Sequence, residues 1–134
     1  MRQWDARSLR NLTGIHPDLR RVMDRALQAS PIKFVVIEGL RSVERQRQLV
    51  AAGASKTMNS RHLTGHAVDL VPMLDLDRDG KVETQEMFNV PMMRQLHTHI
   101  EAAFVAEGVK FEWGGDWGWD FPHYELDRRV YPAK

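Results

Sequence analysis

Three side chains that suit a single metal ion are spread along this chain, and they constrain its fold more than any other feature. His62 and Asp69 lie in the segment SRHLTGHAVD (60–69), and His123 lies far downstream in DFPHYE (120–125). Two histidines and one carboxylate form a common ligand set for catalytic zinc, whose fourth position stays open to water. If they share one ion, the strand that contains Asp69 must neighbour the strand that contains His123.

The absence of cysteine narrows the possible chemistry. None of the 134 residues is a cysteine, which excludes disulfides, zinc ribbons, iron–sulfur clusters and thiol nucleophiles. Any metal must therefore be bound by histidine and carboxylate. The composition, with 43% hydrophobic and 28% charged residues, is that of a globular protein of about one domain. No linker or repeat divides it, so we expect one domain over residues 1–134.

Charge and hydropathy limit the kinds of partner that this protein can be expected to bind. The net charge of +1 is not the basic excess of a nucleic-acid binder, so no nucleic acid is expected. No apolar run reaches the roughly 18–20 residues of a membrane span, which predicts no membrane insertion. The initial segment MRQWD is not followed by the apolar stretch of a signal peptide. We expect a monomer without a signal peptide.

Local patterns predict mixed helices and short strands, and therefore the α+β class. Apolar spacing and capping residues predict three helices: from Pro17 to Ser30, from Ser42 to about Ala52, and through Met93–Phe104 to Gly108. Short apolar runs predict four strands: Lys33–Gly39, Ala67–Val71, Val109–Trp113 and His123–Leu126. The order of the strands cannot be read from these patterns.

Two further residues bear on the metal chemistry. Peptide hydrolysis needs a general base beside the metal-activated water. Asp120, three residues before His123, can reach the site without being a ligand. His62 and His66 also have the spacing of an HExxH helix, but residue 63 is leucine and Gly65 interrupts a helix. We therefore expect His66 to be exposed or to lie behind the ligands.

These segments resemble the signatures of zinc peptidases that cut peptidoglycan stem peptides, namely D-Ala-D-Ala carboxypeptidases, D-Ala-D-Ala dipeptidases and L-alanyl-D-glutamate endopeptidases of phage lysis. SRHLTGHAVD matches the signature S-x-H-x-x-G-x-A-x-D, and residues 120–123 match the second signature. EGLRS (38–42) with Gln46 resembles a G-x-R-[ST] segment, and FEWGGDW (111–117) a glycine-tryptophan segment. The resemblance implies a hedgehog/D,D-peptidase-like fold, with helices packed on a small antiparallel sheet.

The resemblance also implies roles for individual residues. His62, Asp69 and His123 would be the zinc ligands, and Asp120, where the family often has glutamate, the catalytic acid/base. Arg41 would be catalytic and bind a carbonyl oxygen or a carboxylate of the substrate, although an ion pair that holds its loop is an open alternative. Further substrate contacts are expected from Gln46, Ser60 and Trp117.

The size of the chain resembles that of phage endolysins. This implies a zinc peptidase that hydrolyses the L-Ala–D-Glu bond of the stem peptide and lyses the host. It would be made in the host bacterial cytoplasm and reach the periplasmic cell wall through a holin-type pore. A D-Ala-D-Ala carboxypeptidase and a non-catalytic, metal-stabilised wall-binding module are the alternatives.

A second metal site is predicted in the segment DLDRDGKVETQE (75–86). It fits the twelve-residue EF-hand loop, with glycine at position 6 and glutamate at position 12. The expected calcium ligands are Asp75, Asp77, Asp79, the Lys81 carbonyl, Glu83 and Glu86. The alternative is a solvated acidic loop. Because the loop follows the Asp69 strand, we expect calcium to regulate activity.

The remaining aromatic residues have less definite roles. Trp113 is expected to pack inside the glycine-rich loop, whereas Trp117 and Trp119 either line a groove or fill the loop. His16, His97 and His99 are expected at the surface.

Overall fold

The computed structural model describes residues 2–54, 58, 60–73 and 89–132. These residues contain the helices α1 (Ala6–Leu12), α2 (Pro17–Ala29), α3 (Val43–Ala51) and α4 (Val90–Glu107), the strands β1 (Phe34–Glu38), β2 (Ala67–Pro72), β3 (Phe111–Trp113) and β4 (His123–Leu126), and two 3₁₀ helices, Arg61–Thr64 and Gly114–Trp117. The predicted calcium ligands between residues 75 and 86 lie outside the described residues. Within the described part of the chain, none of the helices has the length and apolar character needed to cross a membrane.

The four strands form one antiparallel sheet in the order β1-β2-β4-β3. One face of the sheet packs on α2 and α4 in the main hydrophobic core, whose members include Leu19, Val22, Val68, Leu70, Ile100, Phe104, Tyr124 and Leu126. The predicted α+β class, with helices on a small antiparallel sheet, is confirmed. β2 and β4 pair at the centre of the sheet, which is the neighbour relation that a shared metal ion requires.

Helix α1, which the sequence patterns did not predict, covers an edge of the sheet. Its N-cap is Asp5, whose side chain accepts a hydrogen bond from the Ser8 backbone. The Val36 backbone N–H donates to Ser8 Oγ (2.9 Å), and Asn11 Nδ2 donates to the Val36 carbonyl (2.8 Å). An uncovered edge strand is a template for aggregation, so these contacts protect β1.

The other helices follow their predicted boundaries closely. α2 begins at Pro17 and is capped by Ser30, α3 has Ser42 as its N-cap, and α4 ends at Gly108 in the left-handed conformation. The third strand is shorter than predicted, because only residues 111–113 pair with β4.

His97 on α4 is not the simple surface residue that was expected. Its ring stacks on Trp113 at a centroid distance of 3.7 Å, and Nδ1 lies 3.0 Å from the Tyr124 hydroxyl. Burial lowers the pKa of His97, although Glu101 opposes this effect. Trp113 itself is 5% exposed and donates to the Phe121 carbonyl, which confirms its predicted packing role.

Candidate metal and catalytic site

A row of three polar residues crosses the sheet on the face opposite the main core. Asp69 of β2 lies opposite Glu38 of β1 on one side and His123 of β4 on the other. Side chains alternate along a strand, so Asp69 points away from the core side chains of Val68 and Leu70. An irregularity in the pairing between residues 36 and 38 places Glu38 opposite Asp69. Such bulges commonly aim a side chain at a site.

His62 joins this row from the first 3₁₀ helix. The Ser60 hydroxyl caps that helix by accepting from the His62 backbone N–H, and Gly65 ends it with a φ of 76°. His62 Nδ1 donates to the Gly39 carbonyl at 2.8 Å. A carbonyl only accepts hydrogen bonds. Nδ1 therefore carries a proton, and Nε2, which lies toward Asp69, is the nitrogen available to a metal ion.

The three predicted zinc ligands meet in one cluster. Asp69 Oδ1 lies 3.2 Å from His62 Nε2 and 3.1 Å from His123 Nδ1. One potential ligand atom from each residue lies within 4.8 Å of the others. Two imidazole nitrogens and a carboxylate oxygen fit the donor preference of zinc. His66 lies outside the cluster and contacts the Thr64 hydroxyl instead.

Asp69 and His123 stabilise each other's charged forms. Burial opposes ionisation of Asp69, but hydrogen bonds from His123 and His62 outweigh it and hold the pKa of Asp69 well below its usual range. Burial also opposes the charge on His123, but hydrogen bonds to Asp69 and Glu125 raise its pKa to about 9. A metal ligand must be deprotonated. A bound ion would therefore replace the proton on His123 Nδ1.

Asp120 lies beside the cluster in a tight loop. Its backbone N–H donates to the Gly114 carbonyl (3.2 Å), and its carbonyl accepts from the His123 backbone N–H (3.1 Å). Burial raises the pKa of Asp120, and the negative charge of Asp69 raises it further. A carboxyl whose pKa is raised toward neutrality is suited to accepting and donating a proton.

The cluster opens into a cavity of about 760 Å³. Arg41, Ser60, Trp117 and Asp120 line it together with the three candidate ligands. The Trp117 ring lies 5.4 Å from that of His123, and Trp119 at the cavity wall is 71% exposed. Both tryptophans therefore belong to the groove wall. Seven of the eight side chains expected at the zinc, catalytic or substrate positions line the cavity, and Gln46 is the exception.

Gln46 is the predicted substrate contact that the structure places elsewhere. Its side chain is fully buried, and Oε1 accepts from Arg41 Nη1 at 2.8 Å. Arg41 Nε and Nη2 also donate to the two carboxylate oxygens of Glu38 at 2.8 and 2.7 Å. Gln46 therefore holds Arg41 and does not face the cavity.

Arg41 has little capacity left for a substrate. A guanidinium has five N–H groups. In the described part of the chain, four of them are directed at Glu38, Gln46 and, more weakly at 3.4 Å, at Ser60 Oγ. One Nη2 hydrogen remains. This favours a single hydrogen bond to a carbonyl oxygen over bidentate binding of a carboxylate.

Two carboxylates of the site received no role from the sequence. Glu38 ends an apolar strand three residues before Arg41, and Glu125 follows His123 by two residues in a buried strand. A single acidic residue within a short apolar strand was the available signal. An acidic side chain is costly to bury without a partner. Here the partner of Glu38 is Arg41 and the partner of Glu125 is His123, and both belong to the site.

Comparison with known proteins identifies the family of this chain. The profile described as phage L-alanyl-D-glutamate peptidase matches residues 2–133. The chain is 30% identical over 129 residues to the L-alanyl-D-glutamate peptidase of Escherichia phage T5, covering 92% of this chain and 88% of that protein. It is 28% identical over 134 residues to the peptidoglycan L-alanyl-D-glutamate endopeptidase CwlK of Bacillus subtilis (strain 168), covering 84% and 73% of the two chains.

A solved structure agrees with these matches. The crystal structure of the Serratia marcescens L-Ala D-Glu endopeptidase ChiX superposes with a TM-score of 0.82 at 45% identity, and the match covers 96% of this chain and 92% of that one. These matches define the class of the protein as a peptidoglycan peptidase. The chain belongs to the phage L-alanyl-D-glutamate peptidase family, which confirms the resemblance found in its motifs.

Proposed function

We propose that this protein is a zinc-dependent peptidoglycan endopeptidase that hydrolyses the L-Ala–D-Glu bond of stem peptides. One observation carries the proposal: the His62–Asp69–His123 cluster and Asp120 share a single cavity in a chain of this family. The names of the T5, Bacillus and Serratia relatives support the choice of bond.

The residues divide the chemistry between them. A zinc ion bound by His62, Asp69 and His123 would activate a water molecule and polarise the scissile carbonyl. Asp120 accepts the proton of the attacking water and transfers it to the leaving amine. The raised pKa of Asp120 favours the first step, because a carboxylate with a higher pKa is a stronger base toward the proton of the attacking water.

Arg41 assists at the carbonyl oxygen. Glu38 and Gln46 fix its guanidinium before the substrate arrives, so no reorganisation is needed when charge develops on that oxygen. Trp117 and Trp119 form an apolar wall against which the stem peptide packs.

Mass spectrometry of digested peptidoglycan tests the proposal. Purified sacculi of a Gram-negative bacterium are incubated with the protein, zinc and calcium, and the released peptides are sequenced. We expect stem peptides with a new D-Glu amino terminus. Asp120→Asn is the matched control, and we expect it to release no such peptide while retaining about one zinc ion per chain.

The other outcomes identify the error. Free D-Ala would assign the same site to a D-Ala-D-Ala carboxypeptidase. Bound zinc with no product would favour a wall-binding module. Loss of zinc from Asp120→Asn would show that Asp120 is a ligand and not the acid/base.

We further propose that residues 75–86 bind calcium through Asp75, Asp77, Asp79, the Lys81 carbonyl, Glu83 and Glu86, and that calcium activates the enzyme. The support is the EF-hand spacing and the position of the segment shortly after β2. Activity is measured in millimolar EGTA at a fixed free zinc concentration, with Asp75→Asn as the matched variant. Activity that is unchanged by EGTA would exclude calcium regulation.

The biological setting that we propose is that of an endolysin. It would accumulate in the bacterial cytoplasm and act on the wall once a holin opens the membrane. Expression in Escherichia coli with an inducible holin should lyse the culture, whereas Asp120→Asn with the same holin should not. Lysis by the Asp120→Asn variant would assign the effect to the holin alone.

A further inference from the structure

A second carboxylate contacts the candidate ligand His123 from behind. Glu125 follows His123 by two residues on β4, so both side chains lie on the same face of the strand. Glu125 Oε1 lies 2.9 Å from His123 Nε2, and the two side chains are 3% and 8% exposed. His123 is therefore held between two carboxylates, with Asp69 at Nδ1 and Glu125 at Nε2.

The two histidines of the cluster are oriented in opposite senses. His62 directs Nε2 to Asp69 and donates a hydrogen bond from Nδ1 to the Gly39 carbonyl. His123 directs Nδ1 to Asp69 and its Nε2 to Glu125. In each case the nitrogen that faces away from the cluster has an acceptor. Only the acceptor of His123 is a side chain, so only this orientation can be tested by substitution.

Glu125 is itself held by two arginines. Arg128 Nε donates to Glu125 Oε2 at 3.1 Å, and Arg61 Nε lies 4.0 Å from the same oxygen. The Arg61 side chain is 3% exposed and donates through Nη2 to the carbonyls of Leu126 and Tyr131. Its Nε is a buried polar atom without a hydrogen-bond partner within the residues described. Its charge is thus directed toward Glu125.

This ion pair joins the two arms of the cluster. Arg61 precedes His62 in the chain, and Glu125 follows His123. Removing one partner of a buried pair leaves the other uncompensated, so the pair constrains both segments at once. The attraction to two cations also keeps Glu125 an acceptor for the His123 Nε2–H.

We propose that Glu125, held by Arg61 and Arg128, is a positioning residue that fixes the His123 ring with Nε2–H toward the carboxylate and Nδ1 toward the metal. A carboxylate behind a ligand histidine sets its tautomer and increases its basicity. The inference rests on the zinc site of the proposed function, but not on the choice of bond that is cut.

Zinc affinity is the first test. The dissociation constant is measured by competition with a chelator, without substrate, for the wild type, Glu125→Gln and Glu101→Gln. Glu101 is the matched control because its Oε2 makes a comparable contact with His97 Nε2 at 3.2 Å, outside the cluster. We expect Glu125→Gln to weaken zinc binding by about 10- to 100-fold and Glu101→Gln to leave it unchanged.

Imidazole NMR of the zinc-loaded wild type is the second test, and it does not depend on the folding of any variant. Long-range ¹H–¹⁵N correlations should show His62 coordinated through Nε2 and His123 through Nδ1, with a protonated Nε2. Coordination of His123 through Nε2, or unchanged zinc affinity in Glu125→Gln, would overturn the positioning role. A wild type that binds no zinc would overturn the zinc site as well, whereas zinc binding without peptide release would overturn only the proposed activity.

Discussion

The close approach of Gly114 to Asp120 predicts that Gly114→Ala lowers activity but leaves the protein folded. A Cβ atom built on Gly114 would lie 2.1 Å from the Asp120 carbonyl oxygen and 2.7 Å from the Asp120 Cβ. Comfortable contacts between such atoms begin at roughly 3.5 Å. The Asp120 backbone must therefore move by about 1 Å, and the side chain of this proposed acid/base moves with it.

The magnitude follows from this displacement. A misplacement of about 1 Å in a reacting group costs about 100-fold in rate. That factor corresponds to about 2.7 kcal/mol of transition-state stabilisation. The overpacked loop also costs about 1–3 kcal/mol of folding free energy, which a domain of this size tolerates. We expect a folded Gly114→Ala protein whose kcat/KM is about 100-fold below that of the wild type.

The assay measures the release of amino termini from purified peptidoglycan, together with urea unfolding of the same samples. Gly108→Ala is the control. Gly108 ends α4 with a φ of 69°, and a Cβ there would meet no atom within 4 Å. We expect this variant to lose about 1 kcal/mol of stability with unchanged kcat/KM. Wild-type kcat/KM in Gly114→Ala would refute the argument that this contact positions Asp120.

Three further outcomes are expected. Glu38→Gln removes the charged partner of Arg41 and should lower kcat/KM about tenfold, in a peptide-release assay where the exposed Glu44→Gln variant changes nothing. In metal-free protein, the raised pKa of His123 stabilises the fold fully below the pKa of about 6.5 that histidine has in the unfolded chain, and this stabilisation is lost as the pH rises through about 9. Urea unfolding in EDTA should therefore show that the free energy of unfolding falls by roughly 2.5 kcal/mol between pH 7 and 10. An equal fall in His123→Asn would assign the effect to another group. His97→Ala should lower the free energy of unfolding by at least about 1 kcal/mol, because it removes a ring stacked on Trp113, and thermal melts that coincide with the wild type would contradict that packing role.

The sequence was sufficient for the parts of the fold that local rules govern. Pro17 and Ser30 bound α2, and Gly108 ends α4, because capping preferences act over a few residues. The position of α1 depends instead on the edge of β1, which lies about 25 residues away in the chain. A seven-residue helix offers too short a pattern to detect without that context.

The candidate site divides in the same way. The three candidate ligands and Asp120 stand out in the sequence because they belong to contiguous motifs. The role of Gln46 could not, since its burial against Arg41 is a tertiary contact. The same holds for Glu125, whose partner Arg61 lies 64 positions earlier in the sequence. Pairings of this kind become visible only once the register of β2 and β4 is known.

The direct pairing of Asp69 with His123 across β2 and β4 has a consequence for how relatives of this protein can diverge. Successive residues of a strand point to opposite faces, so deleting one residue from either strand would turn a candidate ligand toward the hydrophobic core. Deleting two would restore the face but carry the ligand about 7 Å away. Substitutions can accumulate around such a site, and loops outside the strands can lengthen or shorten. Within these two strands, a change of chain length would therefore break up the His62–Asp69–His123 cluster.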